Sequence, residues 1–216
     1  VDLGNRRTIE IDECANPPRV WINAGGVGIY GDRGDEALSE SSRPGEGFLA
    51  DVSRSWEAAC LNSESKTRKV VARFGVVLGR EGGAFPIFLK LATLFIGGSA
   101  GNGRQWMSWI HIEDLCRLLQ WMIEEDRVSG AVNAVTPHPI RNGDFMDELR
   151  RAIGRPPVPG MPNAVFRQLV SVTGKEPSVL LESQRVFPVL AMSQGFEFQF
   201  PELQAAIESL IEPGRS

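Results

Sequence analysis

The 216-residue chain has one tyrosine and two histidines, the first places to look for a proton carrier. His111 stands three residues before Asp114. Imidazole is the side chain that titrates nearest neutral pH. The same spacing suits a helix entry, where an acid in the first turn meets the positive end of the helix dipole. One histidine without a nucleophile or second base is not a catalytic set, which favours the structural reading. His138, in a TPHP stretch, reads as a loop residue. Tyr30 follows the turn Ala24-Gly25-Gly26-Val27-Gly28. Glycine lets backbone approach a flat ligand closely, and Tyr30 then either shapes a substrate cleft or packs inside a loop. A second approach of this kind is Arg73-Phe74-Gly75-Val76-Val77, at the end of an apolar run. Gly98, Gly101 and Gly103 are spaced like a phosphate loop but follow a helical pattern rather than a strand, the wrong context for one. Cys14, Cys60 and Cys116 form no CxxC pair and read as reduced thiols. No metal spacing is present, so no metal site is expected.

These residues need a scaffold that brings them together. Apolar runs predict strands at about 19–24, 69–74 and 130–135, with a looser one over Trp106 to Ile112. Helical spacing covers 2–14, 48–60 and 84–95, a stretch after Asp114, another from Asn142, and Pro201 to Ile211. In the last of these, Leu203, Ala206, Ile207 and Leu210 share one face, as in a helix docked on the body. Residues 31–47 read as loop, rich in Gly, Asp, Glu and Ser. Alternation of strand and helix predicts an α/β protein with a parallel, doubly wound sheet and helices on both faces. Beyond residue 155 prolines crowd the chain, which suggests a smaller irregular lobe. The expected division is 1–135 for the sheet domain, with 80–105 contributing to a substrate lobe formed chiefly by 136–216.

Composition narrows the function. Apolar residues are 42% and charged residues 23%, as in globular domains, and the net charge is −4. An acidic balance argues against nucleic acid or an anionic membrane as main partner. No apolar run is long enough to span a bilayer, and the opening VDLGNRRTIE carries no signal peptide, so a cytoplasmic setting is expected.

Four stretches together resemble the epimerase-like atypical branch of the extended short-chain dehydrogenase/reductases. They are WINAGGVGIYGDRGDEALSE, FLADVSRSWEAAC, VVARFGVVLGREGGA and GNGRQWMSWIHIEDL, and the tail from GRPPVPG to FPELQAAI is similar to that branch's C-terminal segment. The resemblance implies a Rossmann-like fold, NADP or NAD in the intact protein, a small-molecule substrate and a possible homo-oligomer. By the same alignment the dinucleotide glycine loop lies upstream of these residues. It places Ala24, Gly25, Gly26, Arg73, Gly75 and Val76 beside the cofactor, and Tyr30, Arg104 and Trp106 on the substrate side.

The family's chemistry uses a Tyr four residues before a Lys on one helix, and here the match fails. Four residues after Tyr30 stands Gly34. Counting back from Glu57 puts Leu49 at the Tyr position and Ser53 at the Lys position. Met107 occupies the place of an arginine that often clamps a diphosphate, and Arg104 is the nearest substitute. Two readings follow: an epimerase-like oxidoreductase with a degenerate site, in which Tyr30 and His111 are the candidate proton carriers, or a catalytically inactive dinucleotide-binding sensor or scaffold. General acid/base help is worth about 10²–10⁴ in rate. Tyr30→Phe in the intact protein is therefore expected to change turnover less than about tenfold. A loss of about a thousandfold with the fold intact by circular dichroism would make Tyr30 the acid/base group.

Overall fold

The structure, a computed structural model, describes residues 14–93, 99–156, 158, 160 and 182–211. The helix expected over 2–14 lies outside them but for its last residue. Three strands form the main sheet: β1 (Val20–Gly26), β3 (Arg68–Phe74) and β7 (Gly130–Ala134), in the order β1-β3-β7. All pairings are parallel, from Val20↔Arg68 to Gly26↔Phe74 and from Val70↔Gly130 to Phe74↔Ala134. Val70 to Ala72 are fully buried, as expected of a strand covered on both faces.

The alternation of side chains along β3 sorts the two faces. Val70 and Ala72 meet Leu115, Leu118 and Met122 of helix α3 (Ile112–Glu124). Arg73 points to the other side, toward Glu57 of helix α1 (Phe48–Leu61). One parallel sheet with helices on both faces is thus the observed architecture.

A second core lies beyond the sheet. The short strands β4 (Val76–Leu78) and β6 (Trp109–His111) pair in parallel. Trp109 and Leu78 pack there with Phe85 and Phe88 of α2 (Phe85–Thr93), Phe145 and Leu149 of α4 (Asn142–Ala152), and α6 (Leu203–Ile211). Helix α6 buries Leu203, Ala206, Ile207 and Leu210, the face its spacing marks.

Two sequence expectations change. Residues 31–47 are not all loop: β2 (Ala37–Leu38) pairs in parallel with β9 (Arg185–Val186), because Leu38 and Val186 are both fully buried in a small cluster with Tyr30. The strand expected over 106–112 breaks at Ser108. There β5 (Trp106–Met107) turns to pair antiparallel with β8 (Ile140–Arg141). The Ser108 hydroxyl causes the break: it donates to Gln184 O at 2.7 Å and accepts from Val186 N at 2.9 Å. The remaining helix, α5 (Val189–Ser193), follows β9. Its Leu190 amide donates to Glu40 Oε2, while Glu40 Oε1 accepts from the Asn133 amide on the outer side of β7.

Gly75 joins β3 to β4 where three backbones meet. A Cβ there would lie 2.5 Å from Ser108 O and 2.8 Å from Val135 Cγ1, with backbone unable to yield. Overpacking of this kind costs about 1–3 kcal/mol. Gly75→Ala is expected to lower stability by about that much, read as a shift of the urea midpoint at constant slope; an unshifted midpoint would mean the junction is loose.

Candidate functional site

Ligands of parallel α/β sheets bind outside the carboxyl ends of the strands. A cleft of about 280 Å³ opens there. Its floor is Gly26 to Gly28, the end of β1 and the start of the 3₁₀ turn after it (Val27–Tyr30), with Phe74, Gly75 and Val76 beside them. Leu49 and Ser53 of α1 form one wall. Trp106, Met107, Ser108, Glu182 and Gln184 form the other.

The positions counted from Glu57 therefore meet the cleft: Leu49 and Ser53 stand over Gly28, where an added Cβ would lie 3.7 Å from Leu49 Cβ and 4.0 Å from Ser53 Oγ. Leu49 carries no proton to transfer. Ser53 carries a hydroxyl, and it is the one group on the α1 wall able to donate a hydrogen bond to a ligand.

Of the expected cofactor neighbours, Gly26, Gly75 and Val76 line the cleft. Ala24 and Gly25 do not. Ala24 turns its carbonyl to Trp56 Nε1 at 2.9 Å. Gly25 lies under α1, where a Cβ would approach Val71 Cγ1 to 3.0 Å and Glu57 Oε1 to 3.3 Å, so its lack of a side chain serves packing. Arg73 does not line the cleft either. Its Nε and Nη2 donate to the two carboxylate oxygens of Glu57, both at 2.8 Å, in a buried bidentate pair beneath the cleft rather than in it.

Tyr30 does not line the cleft. Its side chain is fully buried. The hydroxyl accepts from Arg73 Nη1 at 2.7 Å and has Asn133 Oδ1 at 2.8 Å and Ser39 O at 2.9 Å as acceptors for its one proton. Burial raises the phenol above its ordinary pKa of 10.0, against the opposing charge and hydrogen bond of Arg73. Burial works to lower the Arg73 pKa, but Glu57 and Tyr30 outweigh it and hold the guanidinium charged.

His111 lies away from the cleft, at the start of α3. It is the N-cap: Nδ1 accepts from Glu113 N at 3.2 Å. That assigns the proton to Nε2, which donates to Ser209 Oγ of α6 at 3.2 Å, and Ser209 donates to Ala206 O. Asp114 accepts from the amides of Gln199 and Phe200 at 2.7 and 2.8 Å. Both residues fasten the C-terminal segment to α3, which is the structural reading of their spacing.

Trp106 reaches the cleft, whereas Trp109 is core. Arg104 is exposed and borders a separate polar hollow of about 500 Å³ with Arg141, Asp144 and Asp147. Sequence reasoning missed Ser108, Glu182 and Gln184. No local pattern marks them, since the cleft is completed by residues some 76 positions downstream of Ser108. Among the described residues no cluster of three or more His, Cys, Asp or Glu could hold a metal, and no helix is long and apolar enough to cross a membrane. Cys60, on the inner face of α1, is buried, which raises its thiol to about 11 and disfavours the reactive thiolate.

Residues 164–210 match a domain of unknown function, DUF1731. The mouse epimerase family protein SDR39U1 is 38% identical over 203 residues, 93% of this chain and 68% of that protein. The chloroplastic Arabidopsis thaliana homologue is 34% identical, over 90% of this chain and 55% of its own length. The chain thus spans roughly half to two thirds of these relatives. The crystal structure of human epimerase family protein SDR39U1 (isoform 2) with NADPH superposes with a TM-score of 0.88 at 34% identity, covering 98% of this chain and 72% of that one.

The His111 geometry fixes a pH dependence. Burial lowers its pKa below 6.5, and the nearby charges of Glu113 and Asp114 only partly oppose this. The unfolded chain then binds the proton more readily than the folded one. The contribution is whole above about pH 6.5 and is lost as pH falls through the window below it. Urea unfolding at pH 7.5 and 5.5 should show His111→Asn, which keeps a capping acceptor, losing less stability on acidification than the parent. Equal losses would remove His111 from the account.

Proposed function

The chain belongs to the SDR39U1 epimerase family, and from that premise we propose that it forms the nicotinamide and substrate side of an NADP(H)-binding, epimerase-like protein acting on a small molecule. The observation that carries the reading is the cleft itself. It stands at the carboxyl ends of β1 and β3, floored by glycine backbone and walled by Leu49, Phe74 and Val76. A flat ring fits such a floor: Gly26 is extended, with φ −143° and ψ 152°, and a Cβ there would meet nothing closer than 3.9 Å, so the space above it is open. Gly26, Gly75 and Val76 would hold the ring and Ser53 would donate to it or to the substrate oxygen. When bound, NADP(H) supplies or accepts a hydride.

The chain's own groups set the limits of the chemistry. Leu49 excludes water from its wall and moves no proton. Ser53 is a poor acid and base at neutral pH and acts by hydrogen bonding or by ordering a water. Tyr30 is committed to Arg73 and Asn133. The arrangement supports binding and hydride proximity with little acid/base assistance. The second reading, a dinucleotide-binding sensor or scaffold, draws on the same Leu49.

Gly26→Val tests the placement. The extended backbone tolerates valine, while the branched side chain would fill the floor. In the full-length protein, NADPH affinity by nicotinamide fluorescence is expected to fall at least about tenfold with an unchanged melting temperature. Absence of NADPH binding in the parent would end the cofactor reading. Parent-like affinity in the variant would move the ring elsewhere.

A further inference from the structure

The polar groups of the cleft are few, and most of them are spent on the fold. The Ser108 hydroxyl is taken by Gln184 O and Val186 N. Trp106 Nε1 is taken by Asp35 at 2.8 Å. Met107, at the position of the arginine that often clamps a diphosphate, lines the cleft and offers no cation. Among the described residues that line it there is no lysine, arginine or histidine, and Glu182 carries the one charge. Arg141 and Arg185 lie over the Trp106 ring, at 4.2 and 4.8 Å from its centroid, and neither lines the cleft.

Glu182 is held on this wall by Gln184, whose backbone is pinned on both sides. The Gln184 amide donates to Trp106 O at 3.1 Å, and its carbonyl accepts from Ser108 Oγ at 2.7 Å. From that base Gln184 Nε2 donates to Glu182 Oε2 at 3.1 Å. An ionised carboxylate has about four acceptor sites and no donor, more than one amide fills. A ligand with an anionic head would meet this carboxylate as a like charge between apolar walls, where repulsion is screened less than in water. A ligand with a hydroxyl would give it a charge-assisted hydrogen bond. A cationic ligand would share a cleft of about 280 Å³ with the oxidised nicotinamide ring, itself a cation.

We propose that Glu182 is the specificity-determining residue of the cleft: its carboxylate accepts the hydroxyl of a small uncharged alcohol and turns away acids and phosphorylated ligands, nucleotide sugars among them. The apolar body of the alcohol lies along Leu49, Val76 and Met107, which line the same cleft. This assignment deepens the reading given above and rests on the cleft being its substrate side.

Benzyl alcohol, its methyl ether, benzylamine, benzoate and uridine diphosphate are suitable probes, titrated by ligand-observed NMR into the full-length protein with and without NADP⁺. Benzyl alcohol is expected to bind at least about tenfold more tightly than the ether, which has no donor, and than benzoate or uridine diphosphate. With NADP⁺ present, benzylamine should bind no more tightly than the alcohol. Glu182→Met, which removes the acceptor, should bring alcohol and ether within about twofold. Glu182→Gln, which keeps an acceptor without the charge, should keep part of that gap and bring benzoate within about threefold of the alcohol. The comparison of probes on the parent protein needs no variant and so stands whether or not the variants fold. Equal binding of alcohol and ether, no binding of the alcohol, tighter binding of benzoate, benzylamine or uridine diphosphate, or a preference that survives Glu182→Met would each overturn the proposal. Alcohol preference without NADP⁺ binding would leave Glu182 as the acceptor and remove the cofactor reading; NADP⁺ binding without alcohol preference would do the reverse.

Discussion

The cleft stands on one buried polar chain, Glu57–Arg73–Tyr30–Asn133. A guanidinium taken out of water at the centre of a sheet domain is tolerable only if its donors are met, and here a bidentate carboxylate and a phenol oxygen meet three of them. Each member comes from a different element: α1, β3, the 3₁₀ turn after β1, and β7. The chain therefore fixes where α1 sits over the sheet, and so where Leu49 and Ser53 stand over Gly28. Breaking such a pair by removing one partner typically costs about 3–5 kcal/mol, because the other charge is left buried alone. Beyond Asn133 the chain continues through its Nδ2 to Phe187 O and through its amide to Glu40, which ties the 31–47 segment and the region after β9 to the same centre.

Much of the scaffold is legible in the sequence because it rests on local pattern. The run KVVARF announces a strand buried on both faces, and the spacing of Leu203, Ala206, Ile207 and Leu210 announces a docked helix. The site is legible only in part, because its members are chosen by distant partners. Nothing near Tyr30 says that Arg73 and Asn133, 43 and 103 residues away, will enclose its hydroxyl. A tyrosine after a glycine turn reads equally as a cleft residue or a core one. Ser108 has no local signature, yet it breaks the strand and carries the cleft's far wall. Counting from Glu57 works better, since helix spacing is a local property. It carries Leu49 and Ser53 to the cleft although neither is a residue type that draws attention.

The glycines of the site show how one residue type meets unlike demands. Gly25 and Gly75 are required by packing, against Val71 and Ser108. Gly26 has ordinary extended backbone and free space, so its missing side chain is left for a ligand rather than for the fold. Only the last kind of absence is informative about binding, and the sequence AGGVG does not distinguish them.

The carboxylate of Glu40 has a further consequence. β7 ends the three-stranded order, and the terminal strand of any sheet offers free amides to a passing chain. Glu40 takes the Asn133 amide on that outer side. A charged group seated on an edge must be displaced and desolvated before another strand can add. The same contact that steadies the 31–47 segment thereby guards this edge against sheet extension and aggregation.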